Sequence, residues 1–165
     1  MPAAVGHVVG DKPRRGSATV YIAGNMSMVL DTDVMVAALR SPTGASAELL
    51  RQVLVGERVA MASVPLFVEH EAVMSRPEHL KVAGAAVAEV RNLLDVLASV
   101  IVPVEIRYLW RPQLADADDD MVLECAANGG ARHLVTFNVA DFTGVAERFA
   151  IKPLTPGQML KETWP

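Results

Sequence analysis

The chain has 165 residues, a length that suits one domain with a real core, and 52% of them are hydrophobic, which excludes a disordered protein. Its net charge of −4 provides no global basic field to attract nucleic acid. No stretch approaches the roughly 18–20 unbroken apolar residues of a membrane span, and the single cysteine, Cys125, excludes an intrachain disulfide framework and suits a reducing cytoplasm.

Taken in chain order, residues 1–27 are rich in Gly, Ala and Pro without a sustained period, and read as a leader or disordered N-terminus ahead of one domain over residues 28–165. "SMVLD" reads as a short buried strand, followed by the apolar "VMVAAL". "SAELLRQVLVGE" places Leu49, Leu50, Val53 and Leu54 at helical spacing, with Gly56 near its end as a stop. "RVAMAS" is a second strand. Ser63 then caps a helix that has Pro65 in its first turn and runs to about Ser75, where "RPEH" stops it. "AGAAVAEVRNLLDVLAS" is a long amphipathic helix, "VIVPV" a third strand and "EIRYLWRPQLADA" a loop. "DDDMVLECAANGG" is a helix ended by a Gly pair; the small residues around Cys125 make core packing its expected role, not nucleophilic chemistry. "RHLVTF" and "FAIKPL" are a fourth and a fifth strand. "TPGQML" is a final helix with Thr155 as cap, Pro156 at its first position and Gln158 completing a capping box. Short apolar strands alternating with helices predict a three-layer α/β/α sandwich around a mostly parallel sheet of about five strands.

Ligands of such sheets sit at the carboxyl ends of the strands, and acids fall there. Asp31 ends the first strand; a helix cap is its structural alternative, but Asp33 lies closer to the helix start and fits that role better. Glu69 has Pro65, Leu66, Ala72 and Val73 as helical neighbours, so it points toward the packed face, where a carboxylate needs a partner or a metal. Glu71 competes with it, and periodicity separates the two only weakly. His70 points about 100° away and reads as a surface or helix-packing residue. In "DADDDM", acids at a helix start are favoured by its dipole; Asp120 is the one placed to reach inward, on the face of Leu123, Glu124 and Ala127. Like charges at the spacing of Asp120 and Glu124 repel unless a cation lies between them. "VTFNVADF" adds Thr136, Asn138 and Asp141 at the end of the fourth strand, a pattern that ordinary turn chemistry also explains.

Two charges about 4 Å apart repel by about 4 kcal/mol at an effective dielectric of about 20. Several carboxylates meeting at one sheet edge therefore hold protons or need a cation. With only oxygen donors and no His/Cys set for zinc, Mg²⁺ or Mn²⁺ is expected, the ions that bind phosphate oxygens and activate water.

These blocks resemble the PIN-domain family. "VLDTDVMVAAL" is similar to the strand that delivers the family's first metal-binding Asp, "SVPLFVEHEAVMSRPEH" to the segment with its second acid and an Arg-Pro pair, and "DADDDMVLECAANGGARHLVTFNVADF" to its third block. The nearest resemblance is to PIN-family ribonuclease toxins of bacterial toxin–antitoxin pairs. The resemblance implies Mg²⁺- or Mn²⁺-dependent cleavage of single-stranded RNA, with Asp31, Glu69, Asp120 and Asp141 as catalytic and metal-binding acids. Thr32, Asp33, Thr136 and Asn138 support them. Two departures stand out: Asn138 occupies a place where many members carry Asp, and Asp33 one where Asn is usual. Arg40, Arg76 and Lys81 are basic residues placed to contact RNA near the site, with plain surface solvation as their alternative. An antitoxin protein and a homodimer are the implied partners, and the cytoplasm the implied location. Two other readings compete: a haloacid-dehalogenase-type phosphatase with Asp31 as nucleophile, against which Met35 and the lack of an evident catalytic Lys count, and a catalytically inactive PIN-like binding module.

Overall fold

A computed structural model describes residues 27–163 of the chain; the expected leader lies almost wholly outside them. Five strands, β1 (Ser27–Leu30), β2 (Val59–Ser63), β3 (Val102–Val104), β4 (His133–Val135) and β5 (Lys152–Leu154), form one sheet in the order β3-β2-β1-β4-β5. Every neighbouring pair is parallel. The chain first builds outward from β1 through β2 to β3, then returns to the other side of β1 for β4 and β5. The order therefore reverses between β1 and β4, where a crevice opens at the carboxyl edge of a parallel sheet.

The helices among the described residues are α1 (Thr32–Arg40), α2 (Ala45–Leu54), α3 (Val64–Met74), α4 (Pro77–Ala83), α5 (Val87–Val100), α6 (Ala117–Gly129), α7 (Val139–Ala146) and α8 (Pro156–Lys161), with a 3₁₀ turn at Glu147–Phe149. They cover both faces of the sheet, so β1 is buried throughout and reads as an unbroken apolar run. Met28 and Leu30 pack with Leu49, Val53, Val90, Leu94, Leu97 and Met159 on one face. Val29 packs with Leu66, Leu123, Cys125, Phe142 and Ile151 on the other. The predicted three-layer sandwich is what the chain forms, and Cys125 is a fully buried core residue.

The expected caps are in place. Ser63 accepts from the Leu66 amide, and Thr155 and Gln158 form a capping box. Gly130 ends α6 at φ 65°, and Gly129 allows helix and sheet to touch, since a Cβ there would meet Val104 Cγ2 at 2.8 Å. Two helices depart from the expectation. "RPEH" does not only stop α3; Pro77 opens α4, which ends at Gly84 with φ 64°, so α5 begins at Val87 and not near Ala83. Glu89 then accepts from the Ala86 amide at 2.7 Å. "NVADF" is not a bare turn, because it starts α7, whose Phe142 and Ala146 are buried.

Candidate functional site

The reversal point between β1 and β4 brings two buried polar residues, Asp31 and Thr136, together. The Asp31 amide continues the ladder by donating to the Val135 carbonyl at 2.9 Å, which fixes the residue one step beyond the strand. Its side chain is 7% exposed. Asp31 occupies the N-cap position of α1, but its carboxylate makes no cap hydrogen bond. It accepts instead from Thr136 Oγ1 at 2.7 Å, across the strand boundary, and that hydroxyl accepts from the Asn138 amide at 3.0 Å. Thr136 is thus oriented by the turn that follows β4 and holds Asp31 in one place. Asp33 lies in the first turn of α1; its Oδ2 accepts from the Phe137 amide at 3.2 Å, and its buried Oδ1 has no partner among the described residues.

These carboxylates favour their protons. Burial, then the charge of Asp33, pushes Asp31 up to about 6, against the Thr136 hydroxyl and the nearby amides of Thr32 and Asp33. Burial also raises Asp33. Asp119, at the start of α6, is pushed up to about 6 by burial and by the charges of Asp31, Asp116, Asp141 and Asp118. Asp119 therefore belongs electrostatically with Asp31 and Asp141, a link that sequence reasoning missed. The run of three aspartates is plain in the sequence, but consecutive helical residues differ by about 100°, and periodicity singles out Asp120, not Asp119, as the inward one.

Asp120 has other partners. It is 3% exposed, and its Oδ1 accepts from the amides of Gln113 and Leu114 at 3.0 and 2.9 Å. One turn on, Glu124 accepts from the Trp110 amide and from the Arg111 guanidinium, with an ion pair of 2.8 Å. One further turn on, Asn128 accepts from the amides of Arg107 and Tyr108 and donates to the Tyr108 carbonyl. This row at helical spacing straps the 107–114 loop along α6. Glu124 thus takes its cation from Arg111, while Asp120 accepts from backbone amides.

On α3 the two rival glutamates separate. Glu71 faces α5 and pairs with Arg91 at 3.4 Å. Glu69 lines a cavity of about 600 Å³ together with Asp31, Thr32, Asp33 and Asp118. The same cavity is also lined by Val36, Ala37, Val73 and Phe137 and by Arg40, Ser41, Arg76 and His79. Of the basic residues singled out from sequence, Arg40 and Arg76 reach this cavity; Lys81 is exposed and is not among its walls. Asp141 and Asn138 are exposed at the start of α7. His70 is a packing residue: it is 2% exposed, its Nε2 lies 3.2 Å from the Leu30 carbonyl, and burial pushes it down to about 4, so it is neutral.

The donors at this edge are all carboxylate and hydroxyl oxygens, two of the acids are held near 6, and one buried carboxylate oxygen is unpartnered. That chemistry fits a hard divalent cation. Among the described residues, no three acid, imidazole or thiol groups close around a single point, so an ion would have to draw these side chains together.

A family model described as a PIN domain matches residues 27–140. The chain belongs to the PIN-domain family. PIN domains are typically nucleases that use divalent metal ions. The match spans β1 through the start of α7 and so includes every acid of this PIN domain's carboxyl edge up to Asn138, with Asp141 just beyond it. No curated protein and no solved structure matches the chain significantly. No helix among the described residues is long and apolar enough to cross a membrane.

Proposed function

We propose that this PIN domain is a divalent-metal-dependent endoribonuclease that hydrolyses phosphodiester bonds in single-stranded RNA. Asp31, Glu69, Asp119 and Asp141 hold Mg²⁺ or Mn²⁺, with Asp119 taking the place that sequence assigned to Asp120. The observation that carries this reading is the charge coupling of Asp31, Asp33, Asp119 and Asp141 at the sheet's reversal point, where two acids are raised to about 6. Carboxylates crowded without a basic partner are costly to folding and are retained where a cation or a proton is used. When bound, the ion supplies an activated water and charge stabilisation on the leaving oxygen.

The chain's own residues do the rest. Thr136 fixes the Asp31 carboxylate through a short hydrogen bond and is itself held by the Asn138 amide. Asp33 anchors the Phe137 amide, which shapes the turn beside Asp31. Thr32 adds a hydroxyl to the cavity wall. The Asp120–Glu124–Asn128 row fixes the loop that leads into α6 and thereby the position of Asp119. The family match supports this reading over a phosphatase with Asp31 as nucleophile. The toxin role, the antitoxin partner and the homodimer remain part of this proposal on resemblance. Val64 and Val68 on α3 offer exposed apolar surface for either partner.

The test is cleavage of a labelled single-stranded RNA with Mg²⁺ or Mn²⁺ and with a chelator, for the unaltered chain, Asp31→Asn and Asp119→Asn. Cleavage is expected only with metal and only in the unaltered chain. Metal-independent cleavage, or full activity of Asp31→Asn, would overturn the reading.

A further inference from the structure

The cavity beside the acids has both acidic and basic walls, and the geometry of α1 sets part of their separation. On α1, Asp33, Val36, Ala37 and Arg40 share one face at spacings of three, four and seven residues. On α3, Glu69 and Val73 share a face four residues apart, and Arg76, the N-cap of α4, follows on the same cavity wall. Seven residues are two turns, so Arg40 lies about 10 Å along α1 from Asp33 on the same face. Along α1 the cavity wall thus runs from an acid through an apolar middle to a base, and Arg76 and His79 of the α4 start add to its basic lining.

The basic end is not neutralised from within the fold. Arg40 and Arg76 are exposed, and among the described residues neither guanidinium makes an ion pair or a hydrogen bond, although four acids line the same cavity. Structural arginines elsewhere in the chain are paired, as Arg51 is with Glu48, Arg91 with Glu71 and Arg111 with Glu124. Phe137, 52% exposed on the wall by the acids, offers an open aromatic face, and its backbone is pinned by Asp33.

We propose that Arg40, Arg76 and His79 form a subsite for a second phosphate of the substrate strand, the one neighbouring the bond at the acids. The apolar middle and Phe137 receive the intervening nucleoside. This rests on the nuclease reading and deepens it. The preferred substrate is an oligonucleotide with at least two consecutive phosphodiesters, held in one polarity by an acidic and a basic end. Guanidinium groups suit this role because their fork of donors matches phosphate oxygens, and an exposed aromatic stacks any base.

The test is fluorescence anisotropy of a 5′-labelled single-stranded RNA hexamer on the full chain carrying Asp31→Asn, so that binding is read without turnover. Arg40→Gln and Arg76→Gln are added singly and together, and salt is varied. The double variant is expected to bind about tenfold or more weakly. Its slope of log affinity against log salt should fall by about 0.7, the release expected for one phosphate on a single strand. Arg107→Gln, which removes an exposed arginine paired with Glu105, is expected to change neither value. Thermal melts confirm that each variant is folded. Unchanged affinity and slope in the double variant would overturn the subsite, as would an equal loss with Arg107→Gln or no measurable binding by the parent at low salt. The two readings fail separately. Metal-dependent RNA cleavage by the unaltered chain, with unchanged hexamer binding by the double variant, removes the subsite and leaves the nuclease. Loss of hexamer binding in the double variant, with no cleavage under any metal, keeps the subsite and removes the nuclease.

Discussion

Asp31→Asn should stabilise the metal-free protein, and it should do so only at high pH. The folded chain raises Asp31 from 3.8 to about 6, chiefly by burial, so it holds that proton more tightly than the unfolded chain does. Below about pH 4 both states are protonated and the carboxyl carries no penalty. Between pH 4 and 6 the unfolded state ionises first, and stability falls as pH rises. Above pH 6 the penalty is complete. The rise from 3.8 to about 6, at about 1.4 kcal/mol for each pH unit, amounts to about 3 kcal/mol. Asn keeps an oxygen to accept from Thr136 Oγ1 and cannot ionise, so it removes this penalty. At about 2–4 °C per kcal/mol for a chain of this size, the variant should melt roughly 6–12 °C higher than the unaltered chain at pH 8 in chelator. At pH 4 the two should melt together. Differential scanning fluorimetry across pH 4–8 reads this directly. A variant less stable than its parent at pH 8, or a difference that does not change with pH, would refute the reasoning.

Adjacent aspartates should behave oppositely. Asp119→Asn should abolish RNA cleavage with little loss of stability, whereas Asp120→Ala should cost about 1–3 kcal/mol in chemical denaturation, since it removes the buried oxygen that accepts from the Gln113 and Leu114 amides. Arg111→Gln should destabilise by about 2 kcal/mol. It leaves Glu124 buried without its cation, and the effect falls below the roughly 3–5 kcal/mol of a fully buried pair because the Arg111 side chain is 42% exposed. Gly129→Ala should lower the melting temperature measurably, because its Cβ would meet Val104 Cγ2 at 2.8 Å and Met61 Cε at 3.1 Å.

Much of this was legible in the residues. The apolar run of β1 ending in Asp31 marks a buried parallel strand and its carboxyl end, and the Gly pair after α6 and the Thr155 capping box mark helix ends. The choice between Glu69 and Glu71 was not legible, because both have apolar neighbours on α3. It is the packing of α5, carrying Arg91, that separates them. The choice between Asp119 and Asp120 was hidden for a related reason. Asp120 does face inward, but toward a loop whose path no local periodicity reveals, and its carboxylate is used up by that loop's amides. Glu124 reads as a second like charge because Arg111 lies in the preceding loop and comes near only after that loop folds back. The polarity of the cavity needed α1 and α3 side by side, although the seven-residue spacing of acid and arginine is present in each segment alone.

The central claim is that the carboxylates at the β1–β4 reversal hold a divalent ion. Isothermal titration of Mn²⁺ and Mg²⁺ into the full chain at pH 7.5, beside Asp31→Asn, tests it most directly. The account predicts saturable binding by the unaltered chain, weakening as pH is lowered through 6 where the raised acids take up protons, and loss of that binding in the variant. Equal binding by both proteins, or none by either, would contradict it.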